Sequence, residues 1–371
     1  MLSHSDIASL STQVVWLSFA LGAVFGALVH RTNFCTMGSV ADIVSFGDWT
    51  RMRMWALAIA VAVIGTTALA TLGLIDPADS FYTTRRFTPL AYVVGGLLFG
   101  VGMVLAGGCG SKSLVRAGAG SLKAIVVVCV MGLVAYMTLR GVLAVFRVRA
   151  IESVGLELAT SQDLPSVLSG GGASLAVARV AVAAVAALAL LLFVLRDRAS
   201  LNRNVLLGGI GLGTVIVAVW FVSGHLGHVV EHPDTLEEAY LRTNSGRMEA
   251  LSFVAPVAWT LDYLMFFSDT SKVITVGIAA VCGVLAGAAV HAVLSGQFRW
   301  EGFRDTEDTA NHLAGAALMG FGGVTAMGCT IGQGLSGVSM LSVGSIITVA
   351  AIVVGAVIGL RYQAWRIERT A

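Results

Sequence analysis

The residues best suited to chemistry in this sequence are three of its five cysteines, Cys35, Cys109 and Cys329. Each stands at a Gly- or Thr-marked interruption of an apolar stretch. Cys129 and Cys282 lie inside continuous apolar stretches, where a free cysteine is a common small hydrophobe that packs in the interior. The five cysteines are odd in number and widely spaced, with no Cys-x-x-Cys pair. They therefore predict neither a zinc ligand set nor a disulfide framework, and we expect no metal or cofactor.

Two of these cysteines belong to an internal repeat. Residues 95–114 read GGLLFGVGMVLAGGCGSKSL, and residues 315–334 read GAALMGFGGVTAMGCTIGQG. Aligned at the two cysteines, both copies continue into a Gly-Ser pair that opens the next apolar stretch. Besides the cysteines, the copies share Gly95/Gly315, Gly100/Gly320, Gly102/Gly322, Ala106/Ala326 and Gly108/Gly328, among other positions.

Each copy predicts an apolar helix, a break, and a short segment that restarts as a helix. Ser111 and Thr330 are the expected N-caps of the restarting segments. Backbone broken inside a membrane is tolerated only where it lines a cavity or is buried in protein. A restarting half-helix directs its N–H groups and its positive dipole end at such a cavity. Two half-helix ends facing each other would make an anion site.

Polar and cationic residues surround the predicted breaks. An intramembrane polar residue favours a functional role. Lys112 and Arg116 lie four residues apart and share one face of the segment if it is helical. The alternative is that both simply reach the membrane interface as topology signals. With the three cysteines, the candidate site residues are Ser111, Lys112, Arg116, Thr330 and Gln333.

The composition indicates a polytopic membrane protein. Of 371 residues, 57% are hydrophobic and 12% are charged, against about 25% charged in soluble domains. The formal net charge of +2 is too small to suggest a nucleic-acid partner.

We predict an all-α membrane protein with about nine transmembrane helices, broken half-helices and a pseudo-two-fold, inverted internal repeat. Continuous apolar runs favour helices over a barrel. The chain 1–371 is expected to be one transport domain, with 14–146 and 273–361 as its repeat halves. The expected spans are 14–30, 54–75, 90–106, 122–146, 174–195, 204–223, 273–294, 311–327 and 345–361.

The positions of Lys and Arg predict the orientation. An outside N-terminus and an inside C-terminus place fourteen of these residues inside and eight outside. The two repeat copies then run in opposite directions. A weaker match between GAVFGALVH (22–30) and GVLAGAAVH (283–291) comes out parallel. Either one span is miscounted, or this match is only general helix-packing composition.

The segments LAGGCGSKSLVRAGAGSL, AMGCTIGQGLSG and FCTMGSVAD resemble the YeeE/YedE family of bacterial sulfur-compound transporters. The resemblance implies an inner-membrane protein, not an enzyme, that passes thiosulfate inward along cysteines. It makes Cys109 the central cysteine, with Cys35 and Cys329 as its partners, and it implies a cytoplasmic sulfur-carrier protein as a partner. The long connections 147–173 and 224–272 leave open a different pore entrance or substrate.

The thiol chemistry suits such a substrate. A neutral thiol is a weak S–H donor, able to hold a soft terminal sulfur without binding it tightly. Sulfate offers only hard oxygens. The alternatives are transport of another sulfur or selenium species, a membrane thiol oxidoreductase, which the lack of Cys-x-x-Cys disfavours, and a sensor or scaffold that does not transport.

Overall fold

A computed structural model of the chain describes residues 3–170, 172, 174–197, 200–233 and 235–370, and this part is almost entirely helical. Its α-helices are α1 (His4–Thr32), α2 (Thr36–Phe46), α3 (Thr50–Thr71), α4 (Pro89–Leu105), α5 (Gly110–Gly118), α6 (Leu122–Arg140), α7 (Val142–Phe146), α8 (Leu164–Ser169), α9 (Leu175–Leu195), α10 (Arg203–Phe221), α11 (Ala255–Met265), α12 (Val276–Leu294), α13 (Thr306–Thr325) and α14 (Val343–Thr370).

Short irregular elements complete the fold. Two-residue strands form two antiparallel pairs, β1 (Arg86–Phe87) with β2 (Leu156–Glu157) and β3 (His228–Val229) with β4 (Ala239–Tyr240). Single turns of 3₁₀-helix occupy Pro77–Asp79 and Phe81–Thr83. Segments of π-helix occupy Arg147–Ile151, Val222–Leu226 and Gly332–Gly337.

Eight helical segments among the described residues are long and apolar enough to cross a membrane, which confirms a polytopic α-helical protein. One of them, α4 with α5, is the predicted broken helix of the first repeat copy, and α1 with α2 forms a second long segment that is interrupted at Cys35. The predicted span 311–327 forms α13 but is not among the eight. Its first turn carries Glu307 and Asp308, and α13 packs inside the protein against α4, where it needs no apolar surface for lipid.

The two repeat copies pack against each other through their shared glycines. A Cβ added to Gly95 would lie 2.5 Å from the backbone nitrogen of Ala326, and one added to Gly315 would lie 2.5 Å from that of Ala106. These contacts are reciprocal, since Gly95 matches Gly315 and Ala106 matches Ala326. Helices α4 and α13 therefore run antiparallel about a local pseudo-two-fold axis, as an inverted repeat requires.

The weaker sequence match, between 22–30 and 283–291, joins two helices that run in the same direction. A Cβ added to Gly22 would lie 2.5 Å from the Ala280 carbonyl oxygen, and one added to Gly26 would lie 2.3 Å from that of Val284. Both residue numbers rise together, so α1 and α12 pack in parallel. This shared composition reflects close helix packing, because small residues let two backbones approach.

Two groups of connections lie at opposite ends of the bundle. One group includes Asn33, which accepts a hydrogen bond from Lys112 (Nζ to Oδ1, 3.0 Å); we call this end the Lys112 face. The other includes Tyr82, whose carbonyl accepts from Ser342 Oγ (2.8 Å); we call it the Tyr82 face. Both strand pairs and most of the long connections 147–173 and 224–272 belong to the Tyr82 face.

Candidate functional site

The three cysteines that the sequence singles out share one backbone design. In each case a helix is followed by a residue with left-handed backbone, a cysteine follows two residues later, and a new helix begins directly after it. The backbone is extended at Cys35 and Cys109. The left-handed φ angles are 53°, 67° and 59°. The three segments are Asn33-Phe34-Cys35, Gly107-Gly108-Cys109 and Met327-Gly328-Cys329.

The two repeat breaks match in their backbone hydrogen bonds. Gly108 N donates to the Met103 carbonyl at 2.8 Å, and Gly328 N donates to the Gly323 carbonyl at 2.8 Å. This is the Schellman pattern, which satisfies carbonyls left open at a helix end. The recurrence at equivalent positions shows that the repeat conserves the geometry of the break.

The cysteines, rather than Ser111 and Thr330, stand at the N-caps of the restarting helices, which corrects the prediction. α5 begins at Gly110 after Cys109, and the helical segment of the second copy begins at Thr330 after Cys329. The physical reason is that the left-handed residue ends the preceding helix early, so the extended residue is the cysteine. Ser111 and Thr330 instead lie within the first turns.

The thiols differ in what they contact. Cys35 Sγ accepts from Gly38 N (3.4 Å), and Cys329 Sγ accepts from Gly332 N (3.5 Å), so both cap their own helices. For Cys109 no capping bond meets the same geometry, although the backbone N–H of Lys112 and the Thr330 hydroxyl lie against its thiol. Its Sγ lies 3.3 Å from Ser111 Oγ.

The three thiols are buried neighbours. The Cys109 thiol interacts directly with that of Cys35 and electrostatically with that of Cys329. Their exposed fractions are 6%, 1% and 0% for Cys35, Cys109 and Cys329. Thr330 lies beside Cys109, and among the described residues its buried Oγ1 has no hydrogen-bond partner that meets ordinary geometry. We call Cys329, Cys109 and Cys35, in that order, the thiol row.

Lys112 lies at one end of the row. It is half-buried, its ammonium donates to Asn33, and it interacts electrostatically with the Cys35 and Cys109 thiols. The row therefore ends at a cation on the Lys112 face.

Arg116 has different contacts from Lys112. Its Nη1 donates to the Gly107 carbonyl (3.4 Å), and its Nη2 lies 3.4 Å from a Glu301 carboxylate oxygen. Glu301 also pairs with Lys123 (2.7 Å). The charge of Arg116 is thus matched locally, and the side chain secures the end of α4.

Gln333 stabilises the backbone at the second break, as Arg116 does at the first. Its amide nitrogen donates to the Ala326 carbonyl, and its amide oxygen accepts from Ser345 Oγ. Ser336 Oγ donates to the Leu251 carbonyl (2.8 Å). Both side chains therefore fix the backbone around Cys329 from buried positions.

A cavity of about 380 Å³ opens on the Tyr82 face and reaches the second break at Met327 and Gly328. Sequence reasoning missed its polar lining because these residues lie in connections outside the repeat and carry no spacing signal. The polar lining residues are Tyr82, Thr84, Arg86, Thr88, Arg147, Glu152, Asn244, Ser245, Glu249 and Ser252.

A larger cavity of about 1170 Å³ lies on the same face. It shares Thr84 and Arg86 with the smaller one, and Arg85, Arg179 and Arg247 add cationic groups to its wall. The same wall carries the carboxylates of Asp76, Asp79 and Glu157, and Arg179 lies 3.8 Å from an Asp76 oxygen.

Cys129 and Cys282 lie on the exposed surfaces of α6 and α12, not in the interior as predicted. In continuous transmembrane helices such surfaces face lipid, which accepts a cysteine as readily as a protein core does. Both residues lie apart from the thiol row.

The fold and site define a multi-pass membrane protein with broken helices whose ends meet inside the bundle, an arrangement typical of transporters. A family model described as sulphur transport matches residues 31–358, and the chain belongs to that family. This confirms the resemblance to the YeeE/YedE family and the prediction of a transport protein rather than an enzyme.

The chain is similar over most of its length to two proteins named thiosulfate transporter TsuA. The one from Escherichia coli (strain K12) is 28% identical over 331 residues, covering 86% of each chain. The one from Spirochaeta thermophila is 26% identical over 337 residues, covering 90% of this chain and 94% of the relative. A protein named probable transporter YedE, from E. coli, matches 117 residues at 29% identity, which is 32% of this chain and 27% of that protein.

Proposed function

We propose that this protein takes up thiosulfate across a bacterial inner membrane along the thiol row. The observation that carries the proposal is a line of buried thiols at helix N-termini, between a polar cavity on one face and Lys112 on the other. Similarity to two proteins named thiosulfate transporters supports the choice of substrate. The Tyr82 face and the N-terminus are periplasmic in this proposal, and the Lys112 face and the C-terminus are cytoplasmic.

The ion enters the smaller cavity and meets Cys329 at the second break. It then passes to Cys109, to Cys35, and out beside Lys112. Neutral thiols donate weak hydrogen bonds to the terminal sulfur of thiosulfate, so no position holds the ion too tightly to release it. Backbone N–H groups at the start of α5 and the Lys112 ammonium offset its negative charge.

Cys109 is the residue on which selectivity depends. Its thiol contacts the Cys35 thiol and the Ser111 and Thr330 hydroxyls, and these polar neighbours orient its S–H toward a passing sulfur atom. Sulfate presents only hard oxygens, for which a weak soft donor is a poor partner. We therefore expect thiosulfate to be taken up in preference to sulfate.

A cytoplasmic sulfur-carrier protein would receive the ion at the Lys112 face, as the family resemblance implies. The repeat halves 14–146 and 273–361 would together enclose the route. Their antiparallel contact between α4 and α13 is the arrangement that an inverted-repeat transporter uses around its substrate.

The test is uptake of radiolabelled thiosulfate into proteoliposomes that contain only this protein. We expect uptake that excess unlabelled thiosulfate abolishes and that equal sulfate leaves largely intact. A preparation that retains its fold but accumulates no thiosulfate would refute the proposal. Equal competition by sulfate would refute the role of the thiols in selectivity.

A further inference from the structure

The smaller cavity contains a carboxylate that an anion site does not need. Glu249 lies in the connection between α10 and α11, is half-buried, and lines the cavity that reaches the second break. Its Oε1 accepts from the backbone N–H groups of Asn244 (3.1 Å) and Ser245 (2.8 Å). These donors are neutral, and Glu249 has no ion pair in the described part of the chain. A dianion that enters this cavity therefore meets an uncompensated negative charge.

The charged groups that face Glu249 do not neutralise it. Arg147 is paired with Glu152, and Arg86 donates to the carbonyl oxygen of Glu152 (3.2 Å). In the adjacent π-helical segment, the Ser223 hydroxyl donates to the Glu249 carbonyl and accepts from its backbone N–H. Tyr82, which is neutral, is in electrostatic contact with Glu249.

Tyr82 connects this carboxylate to the thiol row. The buried tyrosine interacts electrostatically with both Glu249 and Cys329. A Cβ added to Gly332 would lie 2.9 Å from Tyr82 Oη and 2.7 Å from Ser252 Oγ, so both hydroxyls line the second break. Glu249 is therefore placed at the outer end of the route, where it senses an ion before the first thiol does.

We infer that Glu249 binds a proton when the anion occupies the cavity and passes it by way of the Tyr82 hydroxyl toward the Cys329 thiol as the anion moves on, so that the protein carries protons inward together with thiosulfate. This inference rests on the proposed function. Burial already raises the pKa of the Glu249 carboxyl above its ordinary value, against the opposing hydrogen bonds from Ser245 and Asn244. A dianion nearby favours the neutral acid further, because like charges in one site cannot both stay ionised at low cost.

Proton uptake also lowers the electrical cost of transport. A dianion that moves inward works against an inside-negative membrane potential. Each accompanying proton removes one unit of that opposing charge. Proton and anion binding are thermodynamically reciprocal, so thiosulfate must bind more tightly as the pH falls through the pKa of the occupied state.

The experiment measures both ions in the same proteoliposomes. Radiolabelled thiosulfate reports anion uptake, and a trapped pH-sensitive dye reports lumenal acidification. We expect acidification only when thiosulfate is added, with about one proton per anion. Any thiosulfate that the Glu249→Gln variant transports should enter without acidifying the lumen. Glu237→Gln, which removes an exposed carboxylate from the same connection, should match the wild type.

The outcomes separate the two proposals. Thiosulfate uptake without acidification in the wild type would overturn the coupling and leave the proposed function standing. Absence of any uptake would overturn both. Full acidification in Glu249→Gln would overturn the assignment to this residue.

A binding measurement covers the case in which Glu249→Gln does not transport. Calorimetry of thiosulfate binding to the detergent-solubilised wild type, in buffers of different ionisation enthalpy, counts the protons taken up. We expect affinity to rise by up to about tenfold per unit fall in pH. Binding that is independent of pH, with no proton uptake, would overturn the inference.

Discussion

The two repeat breaks have the same backbone but different side chains, and the two cysteine thiols therefore have different neighbours. At the first break Arg116 holds the end of α4 from a half-exposed ion pair, and the Cys109 thiol lies against the Ser111 hydroxyl and the Cys35 thiol. At the second break the buried Gln333 amide holds the end of α13, and Cys329 caps its own helix. A duplicated scaffold can thus keep its geometry while one copy directs its thiol at other polar side chains.

The comparison is tested most severely by replacing the Cys109 thiol. Cys109→Ala removes the S–H donor, and Cys109→Ser replaces a soft donor with a hard one. We expect both to lower thiosulfate uptake by at least about tenfold, which corresponds to roughly 1.4 kcal/mol of barrier. The loss of thiosulfate uptake in Cys329→Ala should be no larger than that in the Cys109 variants. Uptake is measured at matched protein level in proteoliposomes.

A matched control keeps this result interpretable. Thiosulfate should protect Cys109 from a small alkylating reagent at concentrations where sulfate does not. Cys109→Ala with full uptake at wild-type protein level would show that the break needs only a small residue, and the two breaks would then be functionally alike.

The amide at the second break should matter more for stability than the ion pair at the first. Gln333→Ala leaves the Ala326 carbonyl and the Ser345 hydroxyl without their partner in a buried site, at a cost of about 1–3 kcal/mol. Arg116→Ala breaks a half-exposed pair worth about 0–1 kcal/mol. Thermal unfolding in detergent should therefore show the larger fall in melting temperature for Gln333→Ala. The opposite order would refute the contrast.

The left-handed residues offer a smaller and reciprocal test. Gly107 and Met327 occupy equivalent positions with φ of 67° and 59°. Gly107→Ala should destabilise by about 1 kcal/mol, because an L side chain is strained there. Met327→Gly relieves that strain. It should therefore lower the free energy of unfolding by less than removal of a methionine side chain at a position with ordinary backbone. The measurement is again thermal unfolding, and a larger loss in Met327→Gly would show that contacts of its side chain outweigh the backbone.

The sequence predicts the backbone arrangement of this site but not all of the side chains that line it. The Gly-rich repeat predicts the breaks, and the count of apolar spans predicts that the two copies run in opposite directions. The structure explains the repeated glycines, because close packing leaves room only for glycine at positions such as Gly95 and Gly315. Ser111 and Thr330 were wrongly expected to be N-caps, since the left-handed residue that shifts each cap has no unique signature when it is Met327. Tyr82 and Glu249 were missed because long-range folding alone brings these connections to the second break.

The smallest effect is expected at the two cysteines outside the thiol row. Cys129 and Cys282 lie on the exposed surfaces of α6 and α12, so replacement by alanine removes a sulfur atom that packs against little protein. Surface substitutions of this kind change stability by about 0.5 kcal/mol or less. We expect both variants to keep near-wild-type thiosulfate uptake in the same proteoliposome assay. Loss of uptake in either at normal protein level would mean that thiols beyond the row take part, and position at a helix break would no longer distinguish the functional cysteines.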